Sequence, residues 1–320
     1  MIYSCLGGAG VDFFFVLSGF IIFYIHHEDF HQPELFRPYV RKRLVRVYPI
    51  YWMVVIPVIL FNFIFPAISN PNERMLSNVL QSFFLIPQGH LPVLGVAWTL
   101  SHELLFYAIF AVNIWFRGSK VNLIFYSWII LLLLFLILSI VSPAAYAALT
   151  LNSYLVQFVS SGLNLEFSLG MFAALLFVNN KVKNGIVWFI LGFVLFLLAG
   201  LNDVYWSYSF ISDGGLSNRI IAFGLPSFLM VLGGAEANEQ LQKRFHRIFQ
   251  HLGDSSYSLY LIHYPLIVVG CMVGAKIGIS PLLLGMILVL ASIVIGLLCH
   301  FIVEKPLIRF ANRRLATSNV

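Results

Sequence analysis

Long apolar runs alternate with short polar connections along the whole chain. A transmembrane helix needs about 20 predominantly apolar residues, with a range of roughly 17 to 25. Because hydrocarbon offers no partner to an unpaired backbone N–H or C=O group, each such run must be helical. The pattern therefore predicts an all-α fold, a polytopic transmembrane helical bundle with nine spans. These spans lie at residues 9–26, 47–68, 96–116, 121–142, 162–179, 185–201, 217–234, 254–274 and 281–303.

The composition agrees with a membrane protein. Hydrophobic residues make up 60% of the chain, the mean hydropathy is +0.90, and only 10% of residues are charged, against about 25% in a soluble domain. The net charge of +6 would also suit nucleic acid, but alternate connections hold all Lys and Arg residues except Arg74, Arg219 and Lys276. By the positive-inside rule, the basic connections and the C-terminus are cytoplasmic. We therefore expect a lipid bilayer and no nucleic acid as a partner.

An acidic residue lies inside the first apolar run. Asp12 is about one turn from the predicted outer end, and an intramembrane carboxylate is costly unless it faces a cavity or a partner, so it is a candidate functional residue. The alternative is that Asp12 caps a helix that begins near Phe13. Further along the run, Ser18 and Gly19 form a small pair that would let another helix approach closely.

Residues 37–46 form the densest basic cluster, in a connection predicted to be cytoplasmic. Arg43 and Arg46 are three positions apart, so on an interfacial helix their guanidinium groups point the same way. Paired guanidinium groups bind phosphates well. A topology signal that also contacts anionic lipid explains the charge of the cluster equally well, and both interpretations stay open.

The third apolar run carries a histidine next to a carboxylate. The predicted direction of the run places His102 and Glu103 in the outer half of the membrane, and packing alone hardly explains an imidazole beside a carboxylate there. Either side chain can serve as a general acid or base. Adjacent helix positions point about 100° apart, so the two residues can face different walls of one cavity.

Two further polar residues lie in apolar runs. Glu166 is near the outer end of the fifth run, so Asp12, Glu103 and Glu166 all gather toward the outside, as a polar basin open to the exterior would require. His263 lies near mid-membrane, just before Pro265, which kinks the helix. A histidine at a kink often hydrogen-bonds a freed carbonyl, and this interpretation competes with substrate binding.

The sequence gives no indication of a metal site or a disulfide framework. Cys5, Cys271 and Cys299 are scattered, and two of them lie within predicted spans. The chain also contains no internal repeat, no Walker motif and no dinucleotide-binding glycine motif.

Five sequence blocks resemble the acyltransferase 3 family of membrane-bound acyltransferases, in the order in which the family has them. The blocks are GVDFFFVLSGF at 10–20, RLVRVYP at 43–49, WTLSHE at 98–103, GDSSYSLYLIHYP at 253–265 and EKPL at 304–307. The chain is most similar to members that O-acetylate exopolysaccharide or lipopolysaccharide sugars. The resemblance implies a single transmembrane acyltransferase domain over residues 1–320.

The resemblance also implies an activity. An enzyme of the bacterial inner membrane would take an acetyl group from cytoplasmic acetyl-CoA, its co-substrate, and deliver it to a hydroxyl of a polysaccharide or lipid-linked sugar at the periplasmic side. The Arg-x-x-Arg motif of the family falls on Arg43 and Arg46, where the CoA phosphates would be received. The intramembrane acids of the family fall on Asp12 and Glu103.

Within that activity, each candidate residue has an expected role. Glu103 and Asp12 would position and polarise either the acceptor hydroxyl or the catalytic histidine of the family's first helix, and His102 is a second acid/base candidate. No metal is expected. The residues expected to bind the acceptor sugar are Glu166, Trp98 and His263.

The start of the chain departs from the family pattern. The first helix of the family carries an arginine followed eleven positions later by a catalytic histidine, and no Arg or Lys in this chain has a histidine at that distance. Residues 1–8 are uncharged and are predicted to start outside. We therefore expect a tenth span upstream, and an inactive chain unless that segment is restored.

Two other function classes stay open. A transporter or flippase for a polysaccharide precursor would also use outward-facing acids and aromatic-rich spans. Such a protein is expected to show repeated halves with broken helices in corresponding positions, and the sequence has no such symmetry. The other class is a truncated, non-catalytic product that folds in the membrane.

Overall fold

The computed structural model describes residues 2–117, 120–205 and 215–310, and these ranges contain helices but no strand. The C-terminal tail, predicted to be cytoplasmic, lies outside them from residue 311 onward. The α-helices are α1 Ile2–His26, α2 Phe36–Ile64, α3 Leu76–Phe83, α4 Trp98–Trp115, α5 Lys120–Val141, α6 Pro143–Leu151, α7 Tyr154–Val159, α8 Gly162–Val178, α9 Gly185–Tyr205, α10 Gly215–Arg219, α11 Leu225–Asp254, α12 Ser256–Ile277 and α13 Pro281–Cys299.

The predicted all-α membrane fold is confirmed. Within the described ranges, eight segments are long and apolar enough to cross a membrane. The fourth predicted span corresponds to a shorter apolar helix, Phe125–Val141, so the total of nine spans stays a prediction. The eight segments are Gly8–Asp29, Pro33–Ile64, Gly95–Trp115, Tyr154–Val178, Gly185–Asn202, Leu216–Ala237, Ser256–Ile277 and Pro281–Phe310.

Helices continue through connections that the sequence pattern predicts to be polar breaks. The basic cluster at residues 37–46 is not a separate loop or interfacial helix, since α2 begins at Phe36 and runs through it without interruption to Ile64. Likewise, α11 extends to Asp254. Charged side chains do not end a helix, because the backbone groups stay satisfied and long side chains can reach polar surroundings.

The helices form two compact units. The first unit comprises residues 1–36 and 108–244, and the second comprises 37–107 and 245–320. The prediction of one acyltransferase domain over residues 1–320 is not tested by this division.

In the first unit, α1 and α8 come into backbone contact. A Cβ atom added at Gly19 would overlap the carbonyl of Phe167, and one added at Gly170 would overlap the carbonyl of Val16. Each helix therefore has a glycine at the point where the other passes over it. This confirms the predicted close approach of another helix at Gly19.

The same contacts show that α1 and α8 are parallel. The backbone at Val16 meets Gly170. Further along both helices, the ring of Tyr24 lies 5.7 Å from the ring of Phe177. Contacting positions thus advance together, and residues one turn earlier on each helix lie at the same level.

Two π-helical turns interrupt the regular helices. The first, Ile220–Gly224, joins α10 to α11 in the first unit, and the second, His300–Glu304, follows α13 in the second unit. Single π-helical turns are often found at functional sites. Each of these turns includes or directly follows a charged residue.

In the second unit, buried polar groups order the connection between α2 and α4. The Tyr51 hydroxyl donates to the Ser82 carbonyl at 2.5 Å. The Ser82 hydroxyl donates to Asn78 at 3.1 Å and accepts from the backbone N–H of Val93 at 2.9 Å. These bonds fix the segment that leads into the first turn of α4.

Candidate active site

The first unit contains a buried ion pair centred on Asp12. The Asp12 side chain is 0% exposed, and Nε and Nη2 of Arg219 donate to its two oxygens at 2.8 Å and 3.1 Å. This two-point geometry is the strong form of an arginine–carboxylate pair. The alternative that Asp12 caps a helix beginning near Phe13 is wrong, because α1 begins at Ile2 and Asp12 lies in its interior.

A second carboxyl group lies beside this pair. Glu166 is also 0% exposed, and it interacts electrostatically with both Asp12 and Arg219. Its Cγ would lie 3.0 Å from a Cβ at Gly224, in the π-helical turn that follows Arg219. Among the described residues, no N–H or O–H group is hydrogen-bonded to either Glu166 oxygen.

The structure therefore brings Asp12 and Glu166 together with Arg219. The sequence pattern places Arg219 outside the basic connections but does not predict it as a site residue. A signal for it was present. A buried acid needs a compensating cation, and Arg219 opens an apolar run on the side to which the acids gather.

The second unit contains a separate cluster around Glu103. Tyr107, one turn later on α4, donates its hydroxyl to Glu103 Oε1. The guanidinium carbon of Arg43 lies 5.3 Å from the ring centroid of Tyr107 and 5.6 Å from that of Tyr39, a cation–π arrangement. Arg43 and Arg46 both interact electrostatically with Glu103.

This geometry corrects the predicted separation of Arg43 and Glu103. The sequence pattern placed Arg43 in a cytoplasmic connection and Glu103 in the opposite half of the membrane, but Tyr107 links the two side chains. The physical reason is that α2 carries Arg43 into the apolar segment, where aromatic rings and a carboxylate compensate its charge. Arg46, in contrast, is exposed, as are the neighbouring Arg41 and Lys42.

His102 lies in a different direction from Glu103. The imidazole is buried, and the Trp98 ring meets it edge-on at 6.1 Å with an interplanar angle of 86°. The structure thus groups His102 with Trp98 and groups Glu103 with Tyr107, as the angular offset of adjacent helix positions predicts.

His263 lies on α12 next to a residue that holds the start of α4. The Tyr260 hydroxyl donates to the Val96 carbonyl at 3.0 Å and lies 2.6 Å from the Thr99 hydroxyl. The His263 ring is 5.5 Å from the Tyr260 ring. Its Nδ1 is buried and has no hydrogen-bond partner among the described residues, so Nδ1 does not bond a carbonyl freed at the kink.

Another buried carboxylate, Glu304, was not predicted as a site. Ser258 Oγ donates to Glu304 Oε2 at 2.5 Å, and His300 Nδ1 lies 2.9 Å from the same oxygen. Ser258 comes from α12, and the other two residues come from the π-helical turn after α13. Ser258 and Glu304 belong to two of the sequence blocks that resemble the family. Their hydrogen bond links α12 to the π-helical turn after α13.

Comparison with known proteins confirms the resemblance seen in the sequence. The family model for the acyltransferase 3 group, described as an acyltransferase domain, matches residues 2–301. The exopolysaccharide production protein ExoZ of Rhizobium meliloti (strain 1021) is 28% identical over 324 residues, which cover 98% of this chain and 94% of that protein. No solved structure matches the chain significantly.

Proposed function

The chain belongs to the acyltransferase 3 family, and from this premise we propose that it moves an acetyl group from cytoplasmic acetyl-CoA to a hydroxyl of an exopolysaccharide sugar at the periplasmic side. Family membership and the apolar helices establish a membrane acyltransferase. The similarity to ExoZ, an exopolysaccharide production protein, supports a polysaccharide acceptor. The positive-inside rule supports a cytoplasmic donor side and an inner-membrane location.

The observation that carries the proposal is the cluster of Glu103, Tyr107 and Arg43 in the second unit. In the proposed reaction, the acceptor O–H bond and the thioester C–S bond break, a new O–C bond forms, and the proton ends on the thiol of CoA. A carboxylate that can accept the hydroxyl proton is the group this step needs. Tyr107 holds Glu103 Oε1, while Oε2 is buried without a hydrogen-bond partner among the described residues.

The two arginines of the donor motif differ in their surroundings. Arg43 is half-buried against two aromatic rings, whereas Arg46 is exposed beside Arg41 and Lys42. Guanidinium groups bind phosphates through paired N–H donors. Arg46 and its exposed neighbours therefore suit the CoA phosphates, and Arg43 suits the transition-state charge near Glu103.

The residues proposed to bind the acceptor sugar are chosen by the chemistry of their side chains. Aromatic rings such as that of Trp98 suit contact with the apolar faces of a sugar, and His102 beside it is the second acid/base candidate. In the same unit, the buried Nδ1 of His263 has no hydrogen-bond partner among the described residues. In the first unit, Asp12 and Glu166 form a separate pair of buried carboxyl groups.

The central experiment follows label from donor to glycan. Membranes that contain the chain are incubated with acetyl-CoA radiolabelled in the acetyl group and with lipid-linked exopolysaccharide precursor, and label is then measured in the glycan. We expect label in the glycan when the chain is expressed together with any upstream reading frame, and little with Glu103→Gln in the same form. Glu34→Gln, at an exposed position, serves as the matched control. Precursor crossing the membrane without any label in glycan would instead favour the transporter alternative.

The donor assignment has its own test. We expect Arg46→Lys, which keeps the charge, to retain most transfer and Arg46→Ala to raise the apparent KM for acetyl-CoA. Arg43→Lys is expected to lower kcat, because an ammonium group does not reproduce a planar guanidinium between two rings. Unchanged transfer in the Arg43→Ala/Arg46→Ala double variant would remove the donor assignment.

The membrane orientation is tested with single cysteines. In a variant whose native cysteines are serine, Asn72→Cys and Lys181→Cys introduce thiols at exposed positions. A membrane-impermeant thiol reagent added outside intact cells is expected to label position 72 and not position 181. The reverse pattern would invert the proposed sides.

A further inference from the structure

The carboxyl group of Glu166 is buried beside Asp12 and Arg219, a combination of charges that the sequence did not predict. Asp12 and Glu166 are both 0% exposed, and among the described residues the guanidinium group of Arg219 is the cation that acts on this pair. Two hydrogen bonds from Arg219 go to Asp12, at 2.8 Å and 3.1 Å. If both carboxyl groups were ionised, the site would hold an uncompensated buried negative charge, which apolar surroundings strongly disfavour.

The packing of α1 and α8 places the two carboxyl groups side by side. The helices are parallel, and Val16 meets Gly170 at their crossing. Asp12 and Glu166 each precede that contact by four residues, which is about one helical turn. They therefore lie at the same level on facing helices, and Glu166 interacts electrostatically with Asp12.

If Asp12 and Glu166 are both ionised, neither can donate a hydrogen bond to the other. Two ionised carboxylates are both acceptors and cannot bond to each other. In the described part of the first unit, no N–H or O–H group is hydrogen-bonded to Glu166, and the charged groups that act on it are Asp12 and Arg219. Nearby Asn164 is directed elsewhere, since its amide donates to the carbonyls of Phe158 and Val159 at 2.9 Å and 2.7 Å.

We propose that Asp12 and Glu166 hold a single proton between them, carried on Glu166, and that Arg219 is the positioning residue that keeps Asp12 as the ionised member. The two-point contact supplies the Asp12 carboxylate with a counter-charge. The neighbouring like charge then favours the neutral form of Glu166, whose O–H donates to Asp12. The three groups together carry no net charge.

This distribution gives the site a defined ligand chemistry. While its O–H donates to Asp12, the carbonyl oxygen of the neutral Glu166 carboxyl can accept from a sugar hydroxyl, and the three groups present no net charge that would attract a cation. The site therefore suits a polyhydroxylated acceptor rather than a cation. The role toward the acceptor rests on the proposed function, but the shared proton does not.

The first experiment uses a lipophilic carbodiimide, which converts a protonated carboxyl in apolar surroundings into a stable N-acylurea. The full chain in lipid nanodiscs is treated with dicyclohexylcarbodiimide, and labelled positions are identified by peptide mass spectrometry. We expect label at Glu166 and not at Asp12 or at the exposed Glu28. Arg219→Gln is expected to add label at Asp12, and Arg219→Lys, which keeps the charge but loses the two-point contact, to add less.

The second experiment reads the proton without a reagent that must reach the site. Infrared difference spectra of the unchanged chain against Glu166→Gln are expected to show the C=O stretch of one protonated carboxylic acid. Asp12→Asn is expected to lose the same band, because Arg219 then pairs with an ionised Glu166. Gel filtration and circular dichroism of these near-isosteric variants check that they fold.

Two results would overturn the proposal. One is a protonated-carboxyl band that persists in Glu166→Gln, and the other is the lack of both the band and the label in the unchanged chain. Neither readout needs acyl transfer. A chain that shows the shared proton but transfers no acetyl group would overturn the proposed function alone.

Discussion

Arg219 forms two hydrogen bonds to Asp12, from Nε to Oδ1 at 2.8 Å and from Nη2 to Oδ2 at 3.1 Å, although 207 positions separate the two residues. The contact ties the interior of α1 to the end of α10, directly before the π-helical turn at Ile220–Gly224. It joins the first described helix of the chain to a segment far along the sequence. The ion pair therefore adds a polar contact to the packing that holds α1 in the first unit.

Replacing Arg219 by methionine is expected to destabilise the first unit strongly. The substitution leaves Asp12 buried without its cation, and breaking one partner of a buried pair typically costs about 3–5 kcal/mol. The measurement is the free energy of unfolding of the detergent-solubilised chain by denaturant titration. Adding Asp12→Asn to Arg219→Met is expected to recover part of the loss, because no charge is then left unpaired.

The matched control is Arg117→Met. Its guanidinium lies 3.9 Å from Glu34 on the surface, with side-chain exposures of 81% and 63%, and such pairs contribute only about 0–1 kcal/mol. Equal losses at positions 117 and 219 would contradict the structural role of the buried pair.

The glycine contact between α1 and α8 leads to a second prediction. Gly19→Ala is expected to lower the free energy of unfolding by about 1–3 kcal/mol, because the new methyl group meets the rigid carbonyl of Phe167 rather than a flexible side chain. Gly10→Ala on the same helix is the control, since nothing lies within 4 Å of its Cβ position. There alanine is expected to be neutral, or stabilising by about 0.5–1 kcal/mol, because glycine is the poorer helix former.

If both alanine variants have the same stability as the unchanged chain, the backbones of α1 and α8 do not come as close as described. A larger loss at position 10 than at position 19 would contradict the packing of α1 altogether.

The helical spans could be predicted because the membrane leaves a long apolar run no other structure. The run at 185–201, for example, became α9, Gly185–Tyr205. The small residue Gly19 also carried enough information, since only a glycine admits a second backbone so closely. What failed was the assumption that charge ends a helix, which α2 contradicts through the whole basic cluster.

The partners of the charged residues could not be predicted in the same way. Hydropathy locates each helix but says nothing about which helices are neighbours, so Arg219 was not assigned to Asp12. Arg43 was misplaced for a related reason, because its charge suggested an aqueous loop. Tyr39, one turn earlier on α2, together with Tyr107 and Glu103 on α4, compensates that charge instead.

Tyr107→Phe is expected to slow acyl transfer while the protein still folds. The change removes the hydroxyl that donates to Glu103 but keeps the ring under Arg43. A buried carboxylate that lacks one hydrogen bond typically costs about 1–3 kcal/mol, and if this loss falls on the transition state, kcat falls about tenfold or more. The measurement is the rate of label transfer to glycan, with kcat and KM determined separately.

The control for this change is Tyr126→Phe, at an exposed position on α5, where the lost hydroxyl is expected to leave the rate unchanged. A wild-type kcat for Tyr107→Phe would show that Glu103 needs no support from Tyr107, and the second-unit cluster would lose its proposed role.

The Glu304 cluster leads to the last prediction, which concerns stability in the second unit. Ser258→Ala removes a 2.5 Å hydrogen bond to a buried carboxylate that also receives His300, and a bond to a charged group contributes about 1.5–3 kcal/mol. Ser292→Ala on α13 is the matched control, because that buried hydroxyl donates at 2.7 Å to Leu288 of its own helix. Denaturant titration is expected to show a loss of about 1.5–3 kcal/mol for position 258 and a clearly smaller one for position 292. Equal losses would mean that His300 alone satisfies Glu304, so that Ser258 does not join α12 to the π-helical turn.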